Sequence, residues 1–286
     1  MANIRLIRRR IRGVRNIAKI TRAMEMIAAS RMRRAQERGL AGRPYSEKIT
    51  QVIAALSALS MGGKVLHPLL QYRQPVTKIV VVHITPDRGL CGGLVGNINR
   101  EVASFILAQE AAVKLIAVGL KGFDIMRRSG QNIVAEFNGL GDRPSLLDTL
   151  PISRIIIDDF TSGATDEVYL GYTQFVSTIT QKPILKKILP TEPAPIPAAR
   201  NVEYIYEPDP AAVLDELLPR FIEMQVYHAI LESIASEQSA RMVAMRNATD
   251  NASELIDDLT LMYNKVRQEM ITNELLDITG GAAALV

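Results

Sequence analysis

Apolar residues at alternating steps of three and four dominate both ends of the chain. In the last third, Leu217, Met224, Leu231, Met245, Ala252, Leu259 and Val266 form one series, interrupted by Gln238. Phe221, Ala235, Met242, Ile256, Tyr263 and Met270 form a second, with His228 and Thr249 as gaps. This spacing marks the seam of an α-helix packed on another helix. The pattern runs for about eight heptads, a rod of roughly 90–110 Å. No globular domain of this size buries such a rod, so it needs a partner helix. Near the N-terminus, Ile4, Ile7, Ile11 and Val14 step alike. Ile17, Ile20, Met24 and Ile27 follow with one extra step of three, which reads as a stammer that overwinds a coiled coil. Gly39, Gly42 and Pro44 predict a kink or break, and a second apolar run, Ile49 to Leu59, stops at Gly62 and Gly63. The N-terminal helix is the natural partner of the rod. An antiparallel pair drawn from opposite chain ends makes the middle a compact insertion. The expected domains are a shaft helix over 1–62, an inserted domain over 75–197 and a long shaft helix over 208–286.

The middle changes period. Lys78 to Ile84 is a β-branched run of the kind found in buried parallel strands. A glycine-rich turn, Asp87 to Gly96, leads into a helical stretch ending near Ala111. Val113 to Val118 reads as strand, Gly119 to Ser129 as helix and Asn132 to Phe137 as strand. The alternation predicts a parallel α/β sheet. Val168 to Ile179 and Ile184 to Leu189 read as two further strands, and Ile155, Ile156 and Ile157 favour strand locally. Pro190, Pro193, Pro195 and Pro197 make a linker into the last element.

Composition agrees with long helices. Aromatic residues are only 5% of the chain, Trp is absent and Met numbers 11, which suits helical packing better than a β-sandwich. The single Cys91 excludes an intramolecular disulfide. No stretch of about 18 uncharged apolar residues exists to span a membrane. The net charge of +4 conceals an asymmetry. Residues 1–48 carry 14 Lys and Arg against 3 Glu, a net of +11, which leaves −7 on the remainder. A basic arm without Phe, Tyr or Trp in its first 44 residues lacks the aromatic interleaving of a nucleic-acid surface. It fits a solvated helix face or an acidic protein partner.

Candidate chemistry is sparse. Asp87-Arg-Gly-Leu-Cys-Gly-Gly93 lies between strand and helix, where α/β folds hold phosphate. It matches neither a Walker A loop nor GxGxxG, so a tight structural turn is the stronger reading and a nucleotide site the weaker. Cys91 at the following helix start could be a nucleophile. None of His67, His83 and His228 pairs with it visibly in the sequence. Asp158 and Asp159 could hold a metal, but no second acidic cluster supports them.

Three stretches carry a resemblance. They are ITRAMEMIAASRMRRAQ (Ile20 to Gln36), DRGLCGGL (Asp87 to Leu94), and ASEQSARMVAM (Ala235 to Met245), the last continued by LMYNKVRQ and by ITNELLDITGGAAAL (Ile271 to Leu285). Together they resemble the gamma subunits of rotary F-type ATP synthases over nearly the whole chain. Asp277, where the family more often has Glu, and Thr279, where an apolar residue is expected, are the departures noted. The resemblance implies an antiparallel coiled coil of the terminal helices with an inserted Rossmann-like α/β domain, and makes Ile152 to Ser162 a helix. It implies a central rotor shaft that couples c-ring rotation to ATP synthesis or hydrolysis on the beta subunits. It also implies no catalysis, metal or cofactor of its own. The implied partners are three alpha and three beta subunits, the epsilon subunit and the c-ring. No nucleic acid is expected, and the membrane is contacted only through the complex. Matched positions facing the surrounding ring are Met24, Arg241, Gln268, Thr272 and Glu274. With no transit peptide expected before Ile4, the cytoplasmic face of a bacterial inner membrane is the expected location. The rival reading is a small α/β nucleotide-binding enzyme with coiled-coil oligomerisation arms.

Overall fold

A computed structural model of the chain describes residues 4–60, 67–191 and 206–283. Two compact units emerge: Met1–Ala28 with Arg241–Val286, and Ala29–Ala240. Helix α1 spans Ile4–Ser60 and helix α5 spans Pro210–Ala283, with 57 and 74 residues. Between them come strands β1 (Lys78–Ile84), β2 (Ala112–Val118), β3 (Ile133–Phe137), β4 (Glu167–Phe175) and β5 (Gln181–Leu189). Helices α2 (Leu94–Ala108), α3 (Leu120–Arg128) and α4 (Leu146–Thr161) connect them, and a short 3-10 turn covers Pro68–Leu70. The expected break at Gly39 to Pro44 does not occur, because α1 runs through with Pro44 inside it. The proline linker expected from Pro190 to Pro197 lies mostly outside the described residues.

The sheet order is β3-β2-β1-β4-β5. The first four strands are parallel, and β5 adds antiparallel to β4 at the edge. Six of the seven residues of β1 are buried, as expected of a strand covered on both faces. On one face Ile79, Val81 and Leu115 pack with Ile98 and Val102 of α2 and Met126 of α3. On the other, Val80, Val82, Ile116 and Val118 share a core with Ile156 and Phe160 of α4, Ile222 and Val226 of α5, and Ile53 and Leu56 of α1. The β4–β5 hairpin turns earlier than Ile179. The amides of Val176 and Ser177 both donate to the Thr180 carbonyl, so Gln181 to Pro183 belong to β5. Pro183 is tolerated there because β5 is an edge strand.

The isoleucine run at 155–157 is helical, within an α4 that starts at Leu146. Asp148 organises the start, accepting from the Ser145 amide (2.7 Å) and hydroxyl (2.8 Å). These bonds hold the Asp148 carboxyl below its ordinary pKa. The β2–α3 turn needs Gly119, at φ 96°, because a Cβ there would collide with the Thr85 carbonyl.

His83 is fully buried in β1. Its Nε2 lies 2.9 Å from the Asn99 side-chain oxygen, and the Asn99 amide group donates to the Val95 carbonyl at 2.7 Å. The Asn99 oxygen is therefore the acceptor and His83 is the Nε2–H tautomer. Burial drives the His83 pKa from 6.5 down to about 4, opposed by the Asn99 hydrogen bond. A depressed folded pKa gives stability that is complete above the unfolded value and lost as pH falls towards the folded one. Between pH 7 and pH 5 this group alone should cost the native state about 2 kcal/mol. Urea unfolding at both pH values is the check, and His83→Leu should flatten the dependence.

Candidate functional site: the paired helices

The unit formed by Met1–Ala28 and Arg241–Val286 is a two-helix pair. Its cross-links step down α5 as they step up α1. Arg8 stacks 6.0 Å from the Tyr263 ring centre, the Thr21 and Thr249 hydroxyls share a 2.7 Å hydrogen bond, and Arg246 Nε donates to Glu25 at 2.9 Å. That order makes the pair antiparallel. Ile7, Ile11 and Leu259 form its small core, flanked by Val14, Ile256, Tyr263 and Val266. Thr249, a gap in the apolar series, is the seam's polar lock. Its hydroxyl also lies 2.9 Å from the Met245 carbonyl of its own helix.

The seam on α1 differs from the sequence expectation. Ile17, Ile20 and Ile27 are exposed, the last two by 59% and 52%. The inward positions are Ile7, Ile11, Val14, Ala18, Thr21, Glu25 and Ala28, an unbroken four-three alternation with no stammer. Beyond Val14 the inner face is built of small or polar side chains. Hydrophobicity misidentified the face because alanine and threonine were the packing residues and isoleucine the surface ones. The bulk is supplied across the seam, where Met242, Met245, Ala252 and Leu259 are buried on α5. Arg9, Arg10, Arg12, Arg15, Lys19 and Arg22 are exposed along the same stretch of α1, in line with the basic arm read from the sequence. The exposure of the isoleucines was not expected.

The residues carried over by resemblance fall in three settings. Met24 is half-buried on α1. Arg241 is buried, only 8% exposed, and engaged within the chain. Gln268, Thr272 and Glu274 are exposed on α5. Tyr263 lies level with Arg8, four residues into α1, so these last three project past the described start of that helix. Gln268 and Thr272 share one face at four-residue spacing, and Glu274 points to the opposite side.

In the other unit, the start of the glycine-rich loop is tied to two neighbouring loops. Asp87 accepts from the Leu120 amide at the start of α3 (3.0 Å) and from the Gly139 amide (3.1 Å). The chain's own carboxylate thus occupies the positive end of α3, while the helix that follows the glycine-rich loop itself is α2. The crevice outside the carboxyl ends of β1, β2 and β3 is walled by Ile230, Ser233, Ile234 and Glu237 of α5, leaving about 50 Å³. No nucleotide fits that space. Cys91 is buried, and no cluster of three His, Cys, Asp or Glu capable of holding a metal occurs among the described residues. Gln238, the gap in the first apolar series, is buried and donates to Asp142 at 3.0 Å. Arg31 of α1 binds the same carboxylate at 2.6 Å. The loop before α4 is thus tied to both long helices, with the Tyr227 hydroxyl adding a bond to the Pro144 carbonyl.

Comparison with known proteins identifies the family. A family model described as ATP synthase matches residues 3–285. An ATP synthase gamma chain of Dehalococcoides mccartyi is 70% identical over 285 residues, covering 100% of both chains. This chain belongs to the ATP synthase gamma-chain family. With the family comes the role of central shaft in an F-type ATP synthase. One from Roseiflexus sp. is 52% identical over 288 residues, covering 100% of this chain and 99% of that one. Among solved structures, a chain of the Tetrahymena thermophila mitochondrial ATP synthase central stalk and c-ring superposes with TM-score 0.63 at 26% identity, over 80% of this chain and 99% of that chain. A chain of the Euglena gracilis mitochondrial rotor shares the fold at TM-score 0.66 and 19% identity, over 94% of this chain and 98% of that chain.

The seam register makes a direct prediction. Ala28→Leu should overpack the pair and cost about 1–3 kcal/mol, whereas Ile27→Ala should change stability by under about 0.5 kcal/mol. Thermal unfolding followed by circular dichroism distinguishes them, and the reverse order would restore the stammered register.

Proposed function

We propose that this chain, driven from the c-ring, turns within a ring of three alpha and three beta subunits and so couples rotation to ATP synthesis or hydrolysis on the beta subunits. The observation that carries the reading is the antiparallel pairing of the chain's own two ends, held by the Thr21–Thr249 and Glu25–Arg246 links. A single asymmetric shaft offers three identical subunits three different faces at once. Each orientation stabilises a different conformation of each subunit by differential contact, so rotation moves the nucleotide sites through their states in turn. The catalytic groups lie on the partners, and this chain contributes geometry alone. No described helix is long and apolar enough to cross a membrane. On this reading the chain works as a peripheral subunit at the cytoplasmic face of a bacterial inner membrane, with the epsilon subunit and c-ring as its other neighbours.

The residues that set the contact with the ring on this reading are Met24, Arg241, Gln268, Thr272 and Glu274, joined by exposed Ile17, Ile20 and Ile27. Buried Arg241 acts through the conformation of α5, while the exposed members touch the ring directly. Mixing the chain with candidate alpha and beta subunits should yield a stable complex whose ATPase activity depends on it. Recovery of full activity without it would overturn the reading. Reversing exposed Arg33 with Arg34 to Glu should reduce coupled ATP synthesis severalfold, and reversing Lys114 with Lys121 should reduce it much less. Equal losses would mean that the basic arm has no acidic counterpart in the ring.

A further inference from the structure

Within the unit Ala29–Ala240, a groove of about 680 Å³ opens between α1, the β4–β5 edge and α5. We propose that it binds a small organic ammonium ion carried on an apolar body, with the ammonium seated at Glu232. Its volume lies inside the range of about 300–1,000 Å³ typical of small-molecule sites. This inference does not depend on the rotor reading, and the groove is separate from the crevice at the strand ends.

Two glycines of α1 shape the groove. Glycine in mid-helix lowers helix stability relative to alanine, so each calls for a reason. At Gly42 the reason is contact: a Cβ would meet His228 Cε1 at 2.5 Å, so glycine lets the imidazole lie against α1. At Gly39 no atom lies within 4 Å of where a Cβ would be, although the residue lines the groove. Its missing side chain keeps the entrance open rather than making room for a neighbour.

The lining selects the ligand class. Leu40 and Val176, 54% and 57% exposed, stand with Phe175 and Leu231 as apolar walls. Glu232 is half-buried among them and is hydrogen-bonded to Tyr172, whose phenol is held above its ordinary pKa by burial and by that carboxylate. A carboxylate in a partly dehydrated apolar wall attracts a cation more strongly than one in water. Phe175 and Tyr172 also line the groove, and aromatic rings attract an ammonium. An anion is repelled by Glu232. Exposed Lys186 also lines the groove and opposes each positive charge a ligand carries, so one positive charge, placed at Glu232, on an apolar body is the best fit.

The test uses the purified full chain and three probes that share one apolar cage: 1-adamantylammonium, 1-adamantanol and 1-adamantanecarboxylate. Titration calorimetry at neutral pH should give one site for the ammonium, with affinity at least about tenfold above the other two, near 1.4 kcal/mol. Glu232→Gln, which keeps the bond to Tyr172, should abolish the preference. Gly39→Leu should block binding while leaving Glu232 in place, and this variant decides the matter if Glu232→Gln fails to fold. Equal affinity for all three probes would indicate generic association with exposed apolar surface and overturn the proposal. So would undiminished ammonium binding in either folded variant, or no binding at all. Binding to the free chain that disappears in the complex with alpha and beta subunits would assign the groove to a partner protein, which also overturns it.

Discussion

The structure depends on helices from opposite ends of the sequence finding each other in one register. Long-range pairing carries a loop-closure cost, which is offset when the intervening residues are themselves compact. The doubly wound sheet is covered by α2 and α3 on one face, and on the other it shares a core with α4, with Ile53 and Leu56 of α1 and with Ile222 and Val226 of α5. A run of isoleucine, alanine and threonine on α1 then sets the register within the pair. Small side chains let the backbones approach closely, and the bulk comes from the methionines and leucine of α5.

Two of the polar residues in the apolar series bond to partners outside α5. Thr249 meets Thr21 across the seam, and Gln238 reaches Asp142 in the loop before α4. A buried polar group without a partner would be costly, so each such pair penalises a slipped register more than an apolar contact does. Helices that differ only in hydrophobic size can slide past one another. Helices tied by a threonine pair and by an Arg–Glu link have one favourable alignment. For a chain that transmits torque, resistance to sliding is the relevant property.

The inserted sheet has an architecture that in many other proteins binds nucleotide. Here Asp87 caps the start of α3 and α5 walls the crevice beyond β1, β2 and β3, so the chain itself takes these two positions. Fold alone does not bring function with it. The same sheet supports a different role once its crevice is packed with helix.

Much of this was legible before any coordinates. The heptad spacing of α5, the β-branched run of β1 and the βα alternation that follows specify their elements through local periodicity, and the motifs near Ile20, Asp87 and Ile271 indicated the family. Only the tertiary structure settled the face of α1 that packs. Exposed Ile27 and buried Ala28 are neighbours, and hydrophobicity alone favours the isoleucine. The deciding quantity is the space left between two backbones, a property of both helices that neither segment encodes alone. The same holds for α4. Its isoleucines favour strand locally, yet Asp148 capping at Ser145 and packing of Ile156 and Phe160 in the core make it helical. Periodicity along one segment fixes what that segment can be, and the partner that removes it from water fixes which face it uses.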